Sequence, residues 1–145
     1  MLEYQRDVLV AMVDSMPERL FTDAATPGQR NFGQQVYHAA SAQRILVASV
    51  LDGVRARDPR DDTTAARLYT KEGLRTYVRW SFEYSLERFD KQSAASRADI
   101  VNLFGTAMRG WELWQEIHTH TMWTAGQIVG NFRKHGMPPP LFTFF

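Results

Sequence analysis

The side chains best suited to chemistry lie near the C-terminus, in the stretch EIHTHTMWTAGQ at positions 116–127. A helix turns by about 100° per residue. At that angle one narrow band holds five polar side chains: Glu116, His120, Thr124, Gln127 and Asn131. An ordinary surface helix fills its polar face with Lys, Glu and Arg instead. We therefore expect this band to line a polar site inside a helical bundle.

Two histidines are candidate metal ligands. His120 and Thr124 are one helical turn apart, about 5–6 Å between Cβ atoms, which lets two side chains share one ion. His38 lies in an earlier helical segment among small and medium side chains, which leave room beside its imidazole. His118 is about 200° round the helix from His120 and cannot join it at one ion. The alternative is a pair of hydrogen-bonded core histidines, because a catalytic zinc typically takes three protein ligands and water.

The elements that must position these residues are helices. Apolar residues at helical spacing predict long helices over 2–16, 31–54, 71–91 and 106–135, with Asn31 as an N-cap. Residues 22–30 are predicted to form a loop, and residues 100–104 are predicted to form a short amphipathic piece. The charged segment 55–70 is predicted to be a long, mobile crossover. The predicted fold is all-α, an antiparallel four-helix bundle with a long crossover between helices 2 and 3, in one domain over 1–145 with an apolar tail at 141–145.

Composition excludes several classes of function. The chain has 17 basic and 16 acidic residues, so it presents no electrostatic footprint for nucleic acid. No apolar stretch approaches the ~20 residues of a membrane span. Cysteine is absent, which removes any thiol nucleophile or thiolate ligand of the protein's own. The N-terminal stretch lacks an uninterrupted apolar core and does not read as a signal peptide, so we expect a cytoplasmic protein.

Three stretches in this order, RNFGQQVYHAA, HTHTMWTAGQ and NFRKHGMPPP, resemble the DinB/YfiT-like superfamily of metal-dependent proteins. The resemblance runs from about Met16 to Pro140. It implies a four-helix bundle, often dimeric, in which three histidines hold a nickel or zinc ion. Characterised members include thiol-dependent S-transferases and a thiol-dependent isomerase, in which the metal activates a low-molecular-weight thiol.

The resemblance assigns ligands residue by residue. His38 matches the first histidine and His120 the second. The third should stand two residues before the Gly126-Gln127 pair, where this chain has Thr124, a weak neutral ligand. Glu116, one turn before His120, is the best local substitute, either as a carboxylate ligand or as a hydrogen-bond acceptor for His120. Either His38, His120 and Glu116 bind a metal weakly with water, or the pocket binds none.

The resemblance thus implies a metal-dependent thiol S-transferase or hydrolase-like enzyme with an incomplete histidine metal site, holding nickel or zinc weakly or not at all. The ion would activate a thiol or water as a Lewis acid, with Glu116 or Gln127 orienting it. The alternative is a non-catalytic binding or stress-response bundle without the metal site. The expected partners are a low-molecular-weight thiol or other small-molecule substrate and a second copy of the chain. A homodimer is expected because apolar residues off the polar band and in the tail suggest a second buried surface: Trp111, Met122, Trp123, Val129 and the phenylalanines of 141–145.

Overall fold

The computed structural model describes residues 1–54 and 58–140. These residues form six α-helices and one two-stranded sheet, so the chain is mostly helical, as predicted. The elements are α1 Leu2–Ser15, α2 Phe32–Leu51, α3 Ala65–Leu68, α4 Lys71–Lys91, α5 Ala94–Ala98, β1 Ile100–Leu103, β2 Thr106–Arg109 and α6 Gly110–Lys134. Short 3-10 turns lie at Glu18–Leu20 and Pro59–Asp61. The predicted tail at 141–145 and the first crossover residues, 55–57, lie outside the described residues.

The four long helices share one hydrophobic core. α2 packs against both α4 and α6, and α1 contacts the same two helices. Fully buried side chains come from all four, and include Leu9, Met12, Val36, Phe82 and Ile117. Burying each such side chain stabilises the fold by roughly 1.5–3 kcal/mol. Within the described residues, no helix is both long and apolar enough to cross a bilayer.

The start of α2 is fixed by a capping box. The Asn31 side-chain oxygen accepts a hydrogen bond from the backbone N–H of Gln34 at 2.9 Å, and Gln34 Oε1 accepts one from the Asn31 N–H at 3.1 Å. This reciprocal pair satisfies two donors that a helix start otherwise leaves open. The predicted N-cap is therefore confirmed. The helix ends at Leu51 rather than near Val54, because Gly53 takes a positive φ of 65°.

Residues 100–109 correct the sequence interpretation. The predicted helix start near Thr106 is wrong, because this segment is an antiparallel β-hairpin pairing Ile100 with Arg109. The predicted amphipathic piece at 100–104 contains strand β1, whose residues alternate between exposed and half-buried. Phe104 and Gly105 form its two-residue turn with φ of 51° and 91°, as a type I′ loop requires. The last long helix accordingly begins at Gly110.

The described part of the crossover, 58–70, is anchored to the helices. Asp61 is buried and forms an ion pair with Arg44 of α2, whose Nε donates to Asp61 Oδ1 at 2.8 Å. Tyr77 of α4 donates its hydroxyl to the same oxygen at 2.8 Å, and Tyr37 donates to the Asp61 carbonyl at 2.8 Å. The crossover is thus held against α2 and α4 by buried, charge-assisted hydrogen bonds.

The short helix α3 packs its backbone directly on two glycines. A Cβ added to Gly33 in the first turn of α2 would lie 2.0 Å from the carbonyl oxygen of Leu68. One added to Gly73 in the first turn of α4 would lie 2.1 Å from the carbonyl oxygen of Ala66. No side chain fits at either position. This close approach places Leu68 and Tyr69 beside the start of α2.

We expect Gly33→Ala to lower the free energy of unfolding by about 1–3 kcal/mol, because the new methyl group forces α3 away from α2. Gly126→Ala is the matched control. Gly126 also lies within a helix, but a Cβ there meets nothing within 4 Å, so alanine should stabilise α6 by up to about 1 kcal/mol. Urea unfolding of both variants measures the difference. Equal midpoints for the two variants would contradict the packing described here.

Candidate functional site

Helices α2 and α6 bring His38 and His120 into direct contact. Their Nε2 atoms are 3.1 Å apart, and the two rings meet edge to face with centroids 4.8 Å apart. At this distance one ring donates its N–H and the other accepts, so the two neutral rings carry their protons on different nitrogens. Both side chains are half-buried. The two histidines that the sequence singled out therefore form a pair.

The register between α2 and α6 is set by hydrogen bonds on either side of this pair. Gln35 donates its Nε2 to Gln127 Oε1 at 2.9 Å, three residues before His38. Gln43 donates its Nε2 to Thr121 Oγ1 at 2.8 Å in the buried interior. Both bonds join amide or hydroxyl groups that would be costly to bury alone. They hold the helices so that the two imidazoles face each other.

Thr124 is buried one turn beyond His120. Its Oγ1 donates to the backbone carbonyl of His120 at 2.9 Å, a bond that threonine within a helix commonly makes to the preceding turn. The hydroxyl proton is therefore committed to the helix itself.

The other predicted residues of α6 lie farther from the pair. Glu116 is exposed and makes no side-chain hydrogen bond or ion pair with any residue the structure describes. Gln127 is exposed and accepts the bond from Gln35. His118 lines a separate apolar pocket with Leu2 and Trp114, on the side opposite to His120. His118 and His120 are separated by about 200° round the helix axis, so His118 points away from the His38–His120 pair.

Burial and a nearby cation keep the histidine pair uncharged. Burial, then the positive charge of Arg30, then His120 lower the pKa of His38 from its ordinary value of 6.5 to about 4. Burial and then Arg30 also lower the pKa of His120. Both effects disfavour the protonated ring. At neutral pH the pair therefore consists of two neutral imidazoles.

An open pocket of about 460 Å³ lies beside His38. It is lined by residues from the loop before α2, from α2 itself and from the crossover: Arg30, Gln34, Tyr37, His38, Thr63, Leu68 and Tyr69. The volume falls in the range of small-molecule sites, roughly 300–1,000 Å³. Sequence reasoning found only His38 among these residues, because helical periodicity does not place loop side chains. The one available signal was Arg30, directly before the N-cap Asn31.

His38 and His120 could supply two ligands of a metal site, but they do not form a complete site. Two nitrogens about 3 Å apart are what bonds of about 2.0–2.1 Å meeting near a right angle would give. Within residues 1–54 and 58–140, however, no group of three or more His, Cys, Asp or Glu side chains could hold a metal ion. Thr124 offers only a hydroxyl already bonded to its own helix. The residues therefore do not match the three protein ligands typical of a catalytic zinc.

Comparison with known families shows which family the chain belongs to. The sequence model of the DinB superfamily matches residues 1–109 of the 145. The chain belongs to the DinB superfamily. This confirms the family that the sequence resembles. The DinB match includes His38 and ends before α6, so it does not extend to His120, Thr124 or the rest of that helix.

A solved structure supports the same fold over nearly the whole chain. The protein is similar to a DinB-like protein from Bacillus cereus ATCC 10987, with a TM-score of 0.78 and 15% sequence identity. The similarity covers 97% of this chain and 92% of that chain, and therefore includes α6. At this identity it shows the DinB-like fold alone. Comparison with curated proteins gives no match.

We expect the His38 ring of the metal-free protein to titrate near pH 4 rather than near 6.5. Between these values the unfolded chain binds a proton here that the folded chain does not, so stability should fall as pH is lowered from about 6.5 towards 4. Arg30→Gln should raise the pKa of His38, because it removes one positive charge, whereas Arg79→Gln on the exposed face of α4 should not. Ring-proton NMR follows the titration. A His38 pKa near 6.5 in the unmodified protein would contradict the burial argument.

Proposed function

We propose that this DinB-like protein binds a small molecule in the pocket beside the His38–His120 pair, and that the pair acts as two neutral imidazoles rather than as part of a complete metal centre. The observation that carries this proposal is the 3.1 Å contact between the two Nε2 atoms, formed where the described residues offer no third ligand of the kind a metal requires. The contact gives the Nε2 atom of each ring a hydrogen-bond partner in the other ring.

The lowered pKa of His38 favours a role in binding over a role in proton transfer. A general base works best when its pKa lies near the working pH. With a pKa of about 4, His38 is a weak base at neutral pH. It is well suited to donate or accept a hydrogen bond to a bound molecule. This supports the non-catalytic binding role that the sequence left as its alternative.

The competing proposal is a metal-dependent thiol S-transferase or hydrolase-like enzyme. The separation of the two Nε2 atoms favours it, because both nitrogens could contact one nickel or zinc ion. Glu116 would then have to leave its exposed position and become the third ligand, with Gln127 as an orienting group. A bound ion would supply Lewis-acid activation of a thiol or water. Metal content separates the two proposals.

We further propose the arrangement of the helices that the sequence predicts. The four long helices would form an antiparallel four-helix bundle, with the segment 55–70 as the crossover between helices 2 and 3 of that bundle, which are α2 and α4. A cytoplasmic location stays a prediction from the sequence alone.

Protein purified without a histidine tag should contain clearly less than one nickel or zinc ion per chain, because only two imidazoles are available. Thr124→His should bring the content close to one, because a third imidazole one turn from His120 can reach the same ion. Thr119→His is the matched control: it adds a histidine on the same helix at an exposed position and should leave the metal content unchanged. Elemental analysis after dialysis against a chelator measures all three. Full occupancy of the unmodified protein after this treatment would favour the metal-dependent enzyme.

We also propose a homodimer that buries the exposed tryptophans of α6. Trp111 and Trp123 are 51% and 72% exposed, whereas Val129 is buried and Met122 half-buried. Exposed apolar side chains of this size commonly mark an interface. Light scattering at micromolar concentration should give twice the chain mass. Trp123→Gln should shift the mass towards one chain, and Val54→Gln, an exposed apolar control beyond α2, should not. A single-chain mass that persists as concentration rises would refute the dimer.

A further inference from the structure

The residues that line the pocket beside His38 carry positive charge and no negative charge. Arg30 is the one lining residue with a permanent charge, and no carboxylate is among the residues that line the pocket. Arg30 itself makes no ion pair or side-chain hydrogen bond with the described part of the chain. The three carboxylates of the described crossover are engaged elsewhere, Asp58 with Arg60, Asp61 with Arg44 and Asp62 with Arg67. The positive charge at the pocket is therefore not neutralised by these groups.

The hydrogen-bonding groups of the pocket are mainly donors. Tyr69 accepts a hydrogen bond from Asn31 Nδ2 at 3.2 Å, which leaves its O–H proton for another partner. Gln34 uses its Oε1 in the capping box, so its side-chain NH2 group can donate. Gln34 also lies in the first turn of the 20-residue helix α2, where the helix dipole favours negative charge. Charge, donors and dipole all favour a ligand that carries a negative, hydrogen-bond-accepting group.

The remaining walls limit the kind of anion. Leu68 and the rings of Tyr37 and Tyr69 supply apolar surface, which a bare inorganic ion would leave without contact. A single guanidinium neutralises one negative charge, and its planar fork matches a carboxylate through two parallel hydrogen bonds. The volume of about 460 Å³ admits a molecule considerably larger than acetate.

We propose that this pocket binds a small organic carboxylate, whose negative group pairs with Arg30 while its apolar body packs against Leu68 and Tyr69. The proposal rests on the proposed small-molecule function and names the class of ligand. His38 also lines this pocket, where its ring can form a hydrogen bond with a polar atom of the bound molecule.

The experiment uses three carboxylates of increasing length, acetate, benzoate and 4-phenylbutyrate, each compared with its neutral amide. Titration is followed by 1H–15N NMR of the full chain at neutral pH, through the backbone amides of Gln34, His38 and Leu68 and the side-chain N–H of Arg30. Benzoate or phenylbutyrate should shift these signals and bind at least about tenfold more tightly than its amide, the scale expected for one charge-assisted pair. Acetate should bind more weakly, because it lacks the apolar body.

Two substitutions test the role of the charge. Arg30→Gln should weaken binding of the best carboxylate by about tenfold and leave binding of its amide unchanged. Arg79→Gln removes an equal charge from the exposed face of α4 and should change neither. Inorganic phosphate is added as a competitor and should not displace the carboxylate at equal concentration.

The possible results separate this inference from the proposed function. If carboxylates and amides bind equally and Arg30→Gln has no effect, the pocket binds small molecules but the assignment of a carboxylate is wrong. If phosphate competes as strongly as benzoate, the ligand is an inorganic or phosphorylated anion and the carboxylate is again wrong. If none of the six compounds perturbs the pocket at about 10 mM, a concentration that would fill most of a site with a Kd of about 1 mM, both proposals fail.

Discussion

The buried ion pair between Arg44 and Asp61 is the interaction on which the rest of the site depends. It links α2 to the crossover. The Tyr77 hydroxyl donates a second hydrogen bond to Asp61 Oδ1, and the Tyr37 hydroxyl donates to the Asp61 backbone carbonyl. Loss of one partner from such a pair typically costs about 3–5 kcal/mol, because the other charge is left buried and unpaired. The same pair fixes the segment that carries the outer wall of the pocket, Leu68 and Tyr69. Packing of α3 on Gly33 and Gly73 then holds that wall within a few ångströms of the first turn of α2.

The electrostatics of the histidine pair and of the pocket have a common cause. The positive charge of Arg30 disfavours a proton on His38 or His120, and by the same Coulomb interaction it disfavours a divalent cation between the two rings. It favours an anion beside them. A pocket whose lining includes one cation and no carboxylate, beside two neutral imidazoles, is therefore better matched to a negatively charged organic molecule than to a tightly held metal ion.

The parts of this structure that the sequence predicts are those governed by helical periodicity and capping. The N-cap at Asn31 and the common face of α6 follow from spacing alone. His38 and His120, which the family resemblance assigned as ligands, contact each other in the structure. The hairpin was missed because its turn places Phe104, a residue with no preference for it, at a positive φ. The wall formed by Arg30, Leu68 and Tyr69 was missed because it depends on backbone contacts at Gly33 and Gly73, which only the folded chain brings together.

The histidine pair is held in place by contacts within the protein. A third imidazole at position 124 would need a polar partner in a buried place. Thr124 instead satisfies its hydroxyl within its own helix. His38 and His120 satisfy one nitrogen each through their mutual contact, so neither ring needs an ion to remain at the α2–α6 interface. The hydrogen bonds Gln35–Gln127 and Gln43–Thr121 hold that interface on either side. The geometry that would place two metal ligands is therefore maintained by the protein's own contacts, and it leaves His38 at the lining of the pocket.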